Sequence, residues 1–419
     1  MDLTAPIDPV DPIDPVTAAV DDLYKSHYGK IVSALLTSFS DTTLESAEDA
    51  VQDAFTKALT GWTAATIPDN PAGWIYTVSR NGLISGLRSA SRFSAPIEPG
   101  DRAIPDFSGS LFKDQQLRLL FACAHPDLSP KVQIVITLKY VANLKIDAIA
   151  KALGMTTDGI DKLLLRARKK VRDDGLFLLD PGNPAGLRHR LPTVHKIIYL
   201  IFNEGYKPTS GTDAVNESLC EEALLLCKDL LDHELADNAT VALYALMLFN
   251  AARFNGRTGS SGELIDLDQQ DRSQWNRPMI ALACDYFRAS RGSRLTPYHF
   301  EAAIAWLHCS ADSFRETNWR LISRLYLRLL RMNPNPFVEL NYAIALYFAG
   351  GKDKAFEVMH GLLQQPFMNG YYLLNAALGK LYLLDGDHTR AKKYLERTLE
   401  QTEHPLEIAF IRRLLENVH

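Results

Sequence analysis

From about Val20 to the C-terminus the apolar residues of this chain recur three and four positions apart, and Val/Ile-rich alternating runs bounded by turns do not appear in number. That period puts the apolar residues on one stripe of a helix, and a chain that repeats it throughout can bury them only by packing helix on helix. The expected fold is therefore all-α. At 419 residues the chain can build two or three separate cores. Proline, glycine and serine mark the divisions. An acidic, proline-rich leader without order is expected over 1–19, a helical block over 20–92, a linker over 93–110 and a second block over 111–174. A further linker spans 175–192, followed by a helical extension over 193–295 and a repeat-containing segment over 296–419.

The second block holds the most specific short pattern, KIDAIAKALGMTTDGIDKLLLRARKKVR (145–172). Ile146, Ile149, Ala150 and Leu153 form the inner stripe of one helix. Gly154 permits a tight turn, and Thr156 or Thr157 can cap a second helix whose inner stripe is Ile160, Leu164 and Ala167. This is a helix-turn-helix pattern. Thr157, Asp158, Asp161, Lys162 and Arg166 are left to face outward toward a DNA major groove, with Arg168, Lys169, Lys170 and Arg172 suited to phosphates. Lys139–Arg172 carries nine basic and three acidic residues, although the whole chain has a formal charge of −5. An ordinary helical hairpin with a solvated basic face fits the same spacing.

Other features narrow the reading by exclusion. No apolar run is long enough to span a bilayer, so no membrane association is expected, and the Asp/Pro-rich N-terminus lacks the layout of a secretory signal. Five scattered cysteines without a Cys-x-x-Cys pair suit a reducing cytoplasm. Cys123 and His125 have no second pair to complete a tetrahedral site, so no metal and no cofactor are expected. Asp266, Asp268, Asp271 and Arg272 with Trp275 lack the glycine and closing glutamate of a calcium loop. They read as an Asp–Arg network at an inter-domain joint, and Asn203, Glu204 and Tyr206 read as a second polar joint. No catalytic residue is expected. Within 340–399, Gly350 and Gly386 stand 36 apart, as do Ala355 and Ala391, a period close to that of a tetratricopeptide hairpin.

The first block adds two helices of opposite character. TTLESAEDAVQDAFTKAL places Glu45, Glu48, Asp49 and Asp53 on a helix with no basic residue before Lys57, which suits a basic protein surface or a solvated acidic face. NPAGWIYTVSRNGLISGLRSASR then interleaves Trp74 and Tyr76 with Arg80, Arg88 and Arg92, a pattern suited to unstacked single-stranded bases. An acidic helix, an aromatic-basic helix, a linker and a helix-turn-helix, in that order, resemble an extracytoplasmic-function sigma factor of bacterial RNA polymerase. LRLLFACAHPDL (117–128), YLIFNEGY (199–206), LCEEA (219–223), DLDQQDRSQWN (266–276) and the run at 333–346 resemble the subgroup with a helical extension ending in tetratricopeptide-like repeats.

The resemblance implies an all-α protein that recruits core polymerase to promoters and helps open the minus-10 region. It implies that Glu48, Asp49, Gln52, Asp53 and Phe55 bind the β′ clamp, with the β flap as a further contact. Trp74, Tyr76, Arg80, Asn81, Arg88 and Arg92 would hold minus-10 DNA, with Asn81 placed to recognise a flipped-out base. Thr157, Asp158, Asp161, Lys162, Arg166, Arg168 and Lys169 would read the minus-35 element. It also implies that no dedicated anti-sigma factor acts on the chain and that the fused extension regulates it; the repeats themselves fit equally a face offered to a protein or peptide partner and packing against the chain's own N-terminal blocks. Two departures stand out: Ser85 replaces the family's usual Asp, and Leu163 and Leu165 lie on the recognition helix where polar residues are commoner. Contact with the extension is expected for one of these leucines, and for Asn203, Glu204, Tyr206, Asp271, Arg272 and Trp275 at the joint. The competing reading is a one-component regulator that binds an operator by the helix-turn-helix alone, for which the acidic helix would have no use.

Overall fold

The protein is described here by a computed structural model over residues 14–39, 42–90, 110–142, 144–153, 155–174, 184–208, 214–259, 263–292 and 294–418. The described residues form helices and connecting turns, with an isolated antiparallel bridge between Thr258 and Leu264 as the one β pairing among them. Two compact units divide the chain: Met1–Ile149 with Thr157–Val194, and Ala150–Thr156 with His195–His419. The division passes through the helices Ile146–Ala152 and Pro184–Tyr206.

The first unit begins earlier than the composition suggests. Helix α1 (Pro15–Ser38) starts five residues ahead of Val20, because Asp14 accepts from the Thr17 amide at 3.2 Å and Pro15 sits in the first turn. In this Asp-Pro pair, which reads as a leader in sequence, the acid caps the helix and the proline loses no needed donor. Residues 1–13 of the leader lie outside the described residues. Helix α2 (Leu44–Gly61) is capped by Thr43, and α3 (Pro71–Ala90) opens with Asn70 accepting from the Gly73 amide at 2.9 Å. Buried Ile31, Leu35, Val51, Ala58, Ile75 and Leu83 give α1, α2 and α3 their common interior. Helices α4 (Ser110–Cys123), α5 (Pro130–Tyr140), α6 (Ile146–Ala152) and α7 (Thr157–Asp174) follow. α4 and α5 pack against α1, and α7 packs against α5 and α2.

A second departure concerns 175–192. Helix α8 (Pro184–Tyr206) begins inside the expected linker and carries Pro192 in its interior. Pro184 occupies the start of the helix, where its missing N–H is not needed.

In the second unit α9 (Glu217–Leu231) precedes α10 (Asn238–Ala251), which is buried nearly all round and therefore central. α9, α11 (Arg277–Ala289) and α12 (Pro297–Ser310) pack on it, and α13 (Trp319–Met332) follows α12. Two helical hairpins come next: α14 (Pro336–Phe348) with α15 (Lys352–Leu363), then, after the one-turn α16 (Pro366–Asn369), α17 (Tyr372–Leu384) with α18 (His388–Leu399). α19 (Pro405–Glu416) packs on α18. Gly350 and Gly386 turn each hairpin at φ 96° and 81°, a left-handed conformation that glycine adopts without a side-chain clash. Ala355 and Ala391, 36 residues apart, are fully buried in one core shared by both hairpins.

Burial also fixes protonation in the second unit. It drives His308 down to about 3, helped by the neighbouring Arg253 and Arg272, and His195 down to about 4, with Asp237 opposing the shift. Both imidazoles are neutral when folded, whereas the unfolded chain takes up protons below about 6.5. Stability is thus full above pH 6.5 and falls as pH drops toward 4, by about 1.4 kcal/mol per pH unit for each histidine. Denaturant midpoints measured from pH 7 to 5 should follow this slope, and His308→Gln should flatten it.

Candidate functional site

The acidic helix α2 faces two ways. Leu44, Ala47, Val51, Ala54, Phe55 and Ala58 form its buried stripe, while Glu45, Asp49, Gln52 and Asp53 stand exposed. Glu48 falls on the buried side, four residues after Leu44 and three before Val51, and is only 3% exposed. A carboxylate taken out of water must find donors or cations, and Glu48 finds both. Tyr28 of α1 donates its hydroxyl to Oε1 at 3.0 Å. Tyr140 of α5 donates to Oε2 at 3.1 Å, and Nη2 of Arg168 on α7 donates to the same oxygen at 2.7 Å. Arg168 Nε also donates to the Tyr140 hydroxyl at 2.9 Å, and the Lys139 ammonium lies 4.0 Å from Oε1. Burial, and then the Glu48 charge, push both phenols far above their usual range, so they remain donors. Burial holds the Lys139 ammonium below its usual range although Glu48 opposes the shift.

This network joins the first helical block to the helix-turn-helix. Gly29 makes the approach possible: a Cβ there would stand 2.4 Å from the Tyr140 carbonyl oxygen. Nothing local in the sequence marks Tyr28, Lys139 or Tyr140 as partners of an acid, and Glu48 lies inside the packing instead of beside the exposed Asp49, Gln52 and Asp53. Phe55 is also interior, with its ring edge-on to Tyr24 at 5.0 Å.

On α3 the expected DNA-binding residues separate. Trp74 is half-buried and meets Trp62 at 5.2 Å between centroids. Tyr76 is buried, so its ring belongs to the interior. Arg80 is half-buried and Asn81 is exposed. Asn81 lies seven residues, two turns, after Trp74 and therefore shares its face. Arg88 lies on α3 but its side chain is not among those described, and Arg92 lies outside the described residues. Ser85, where the resembled family has Asp, donates its hydroxyl to the Asn81 carbonyl at 2.9 Å and so bonds back to its own helix.

Helices α6 and α7 fall where the helix-turn-helix pattern predicts its two helices. Gly154 lies outside the described residues; the turn is closed by the Met155 amide donating to the Ala150 carbonyl at 2.9 Å. On α7, Ile160, Leu164 and Ala167 are buried as the spacing predicts, and Thr157, Asp158, Asp161, Lys162, Arg166 and Lys169 are exposed. Asp158 and Lys162 pair across one turn at 2.6 Å. Arg168 alone of the outward set turns inward, to Glu48. Leu163 is half-buried, and Leu165 is 65% exposed.

The expected joint residues lie in the second unit. Tyr206 stacks on Phe202 at 5.9 Å and lies under the Arg257 guanidinium at 3.8 Å, while Asn203 and Glu204 are half-buried. The Asp–Arg network is corrected by the structure. Buried Arg272 donates Nη1 to the carbonyls of His308 and Ala311, both at 2.7 Å, and Nη2 to the Thr317 hydroxyl at 3.1 Å, with its guanidinium over Trp275. It ties a loop to the end of α12 through two backbone oxygens and to the start of α13 through a threonine hydroxyl, not through aspartates. Asp271 instead accepts from the Ser273 amide at 2.9 Å, and Asp266 and Asp268 pair with Lys380. Among the described residues no His/Cys/Asp/Glu group could hold a metal, and no helix is long and apolar enough to cross a membrane.

The two blocks joined by Glu48 correspond to known modules. Residues 23–93 match Sigma-70 region 2, residues 118–171 match Sigma-70 region 4, and residues 190–291 match a family of unknown function, DUF6596. The chain belongs to the sigma-70 family of RNA polymerase sigma factors, non-enzymatic proteins of transcription initiation whose partners are core polymerase and promoter DNA. More narrowly, it is of the extracytoplasmic-function type and carries a C-terminal extension. It is similar to the uncharacterized protein R00370 of Rhizobium meliloti (strain 1021), with 32% identity over 412 residues covering 96% of each chain. It is also similar to RNA polymerase sigma factor YlaC of Bacillus subtilis (strain 168), with 24% identity over 162 residues, 37% of this chain and 90% of that one. No solved structure matches.

The network makes a prediction about stability. Tyr140→Phe removes one donor from a buried carboxylate and should cost about 1–3 kcal/mol. Gly29→Ala should cost about as much by overpacking against the Tyr140 carbonyl. In a double-mutant cycle Glu48→Gln and Arg168→Gln should couple by more than about 1 kcal/mol in urea unfolding; additive effects would mean that the ion pair contributes nothing.

Proposed function

We propose that the chain directs core polymerase to specific promoters and helps open their minus-10 region, under control of its own C-terminal extension. The exposed residues of α2, Asp49, Gln52 and Asp53, meet the β′ clamp. Trp74, Arg80 and Asn81, continued by Arg88 and Arg92, hold the opened minus-10 strand. Thr157, Asp158, Asp161, Lys162 and Arg166 enter the minus-35 major groove while Lys169 meets phosphate. The helix-turn-helix block also engages the β flap.

The observation that carries this reading is the Glu48–Arg168 pair. One carboxylate from the segment resembling the polymerase-binding helix neutralises one guanidinium from the helix resembling the DNA reader, at 2.7 Å. Each partner thereby withholds the other. We read the packed unit as a resting form, with core polymerase separating its two blocks and releasing Glu48 and Arg168 to their own partners. Buried ion pairs suit such a role, since they fix one arrangement without adding much net stability. The extension takes the place of a dedicated anti-sigma factor. Its hairpins, tetratricopeptide-like in their 36-residue period, offer a surface to a protein or peptide, and the exposed Leu165 of the recognition helix is a site where the extension acts.

The test is multi-round transcription by core polymerase on a randomised promoter library. Full-length protein should yield promoter-specific transcripts, and Asp49→Ala with Asp53→Ala should cut the yield and the core affinity at least about tenfold, roughly 1.4 kcal/mol. Tyr28→Phe with Tyr140→Phe should lower stability yet raise core affinity. Transcripts from no variant and no core binding would overturn the reading.

A further inference from the structure

Ten buried side-chain polar atoms of the described residues have no hydrogen-bond partner, and five of them belong to residues lining one cavity of the second unit. They are Arg253 Nε, Arg257 Nη1, Gln270 Oε1 and both ring nitrogens of His404. Buried polar groups are normally satisfied, so a concentration of bare ones in the residues around a single cavity asks what completes them. The cavity measures about 270 Å³, near the lower end of the range for small-ligand sites.

The charges are as uneven as the hydrogen bonds. Lys207, Arg253 and Arg257 line the cavity with two acids, Asp266 and Glu407. Both acids are already engaged. Asp266 pairs with Lys380, and Glu407 accepts from the Tyr372 hydroxyl and, at 2.7 Å, the Thr402 hydroxyl, with Lys207 at 3.5 Å. Neither Arg253 nor Arg257 is ion-paired among the described residues. Their guanidiniums lie on ring faces instead, Arg253 on Trp275 and Arg257 on Tyr206. The same two guanidiniums hold the Tyr206 phenol below its usual value, reversing the upward push of burial. Leu264, Leu373 and Phe410 supply an apolar wall.

We propose that this cavity binds a small organic anion, a carboxylate or phosphate on an apolar or aromatic body. The anionic head sits between Arg253 and Arg257, accepting from Arg253 Nε and Arg257 Nη1, with His404 as a further donor. The body lies against Leu373 and Phe410. Two guanidiniums select the charge, and a cavity of this volume limits the ligand to the size of a small metabolite. The site belongs to the extension alone, so its occupation is independent of whether the chain binds polymerase.

The test is thermal unfolding of the full chain at constant ionic strength, with inorganic phosphate, benzoate, phenyl phosphate and the uncharged benzamide as probes. Benzoate and phenyl phosphate at 10 mM should raise the unfolding temperature by about 2 °C or more, phosphate should do so less, and benzamide should not. Arg257→Gln should abolish the rise, as should Ala376→Leu, which fills the cavity from its wall without touching a charge. No rise with any anion, an equal rise with benzamide, or a rise that survives both substitutions would overturn the assignment.

Discussion

A single buried carboxylate governs how the first unit is assembled. Glu48 cannot lie 3% exposed without compensation, and its donors come from three other helices: Tyr28 on α1, Tyr140 on α5 and Arg168 on α7. The acidic helix, the helix preceding the helix-turn-helix and the recognition helix are thus bound to one side chain. Apolar packing among α1, α4 and α5 supplies affinity without direction; the Glu48 bonds supply the register. A network of this kind is stable while complete and weak once one member is drawn away, as a change of partner requires.

Much of this was legible in the residues. The 3.6-residue period carries the all-α fold and the inward stripe of Ile160, Leu164 and Ala167, and the 36-residue repeat carries the equivalence of Gly350 with Gly386. The misses have physical causes. Asp14-Pro15 and Asn183-Pro184 read as loop signals, but each proline stands in the first turn of a helix, where the residue costs nothing. In the sequence Glu48 stands among charged neighbours, although its spacing from Leu44 and Val51 sets it in the apolar stripe. That signal was available. Its partners were not, since Tyr140 and Arg168 lie 92 and 120 residues away and nothing local marks either as facing an acid.

The extension shows the same rule with a different result. Arg272 is buried and satisfied by the carbonyls of His308 and Ala311 and the hydroxyl of Thr317, so it fastens the loop at 271–275 and completes a fold. Arg253 and Arg257 sit a few residues away in sequence from one another and leave donors unmet. A sequence pattern does not separate the structural arginine from the available ones, because the distinction lies in which carbonyls and carboxylates the fold brings within reach.

The central claim is that the packing held by Glu48 is a resting arrangement that core polymerase undoes. Its most direct test is the distance between α2 and α7, read by electron paramagnetic resonance from spin labels at Gln52→Cys and Lys169→Cys, with half-buried Cys284 replaced by Ser. Free protein should give one narrow, short distance, and addition of core polymerase should replace it with a longer one. An unchanged short distance in the polymerase complex would contradict the account.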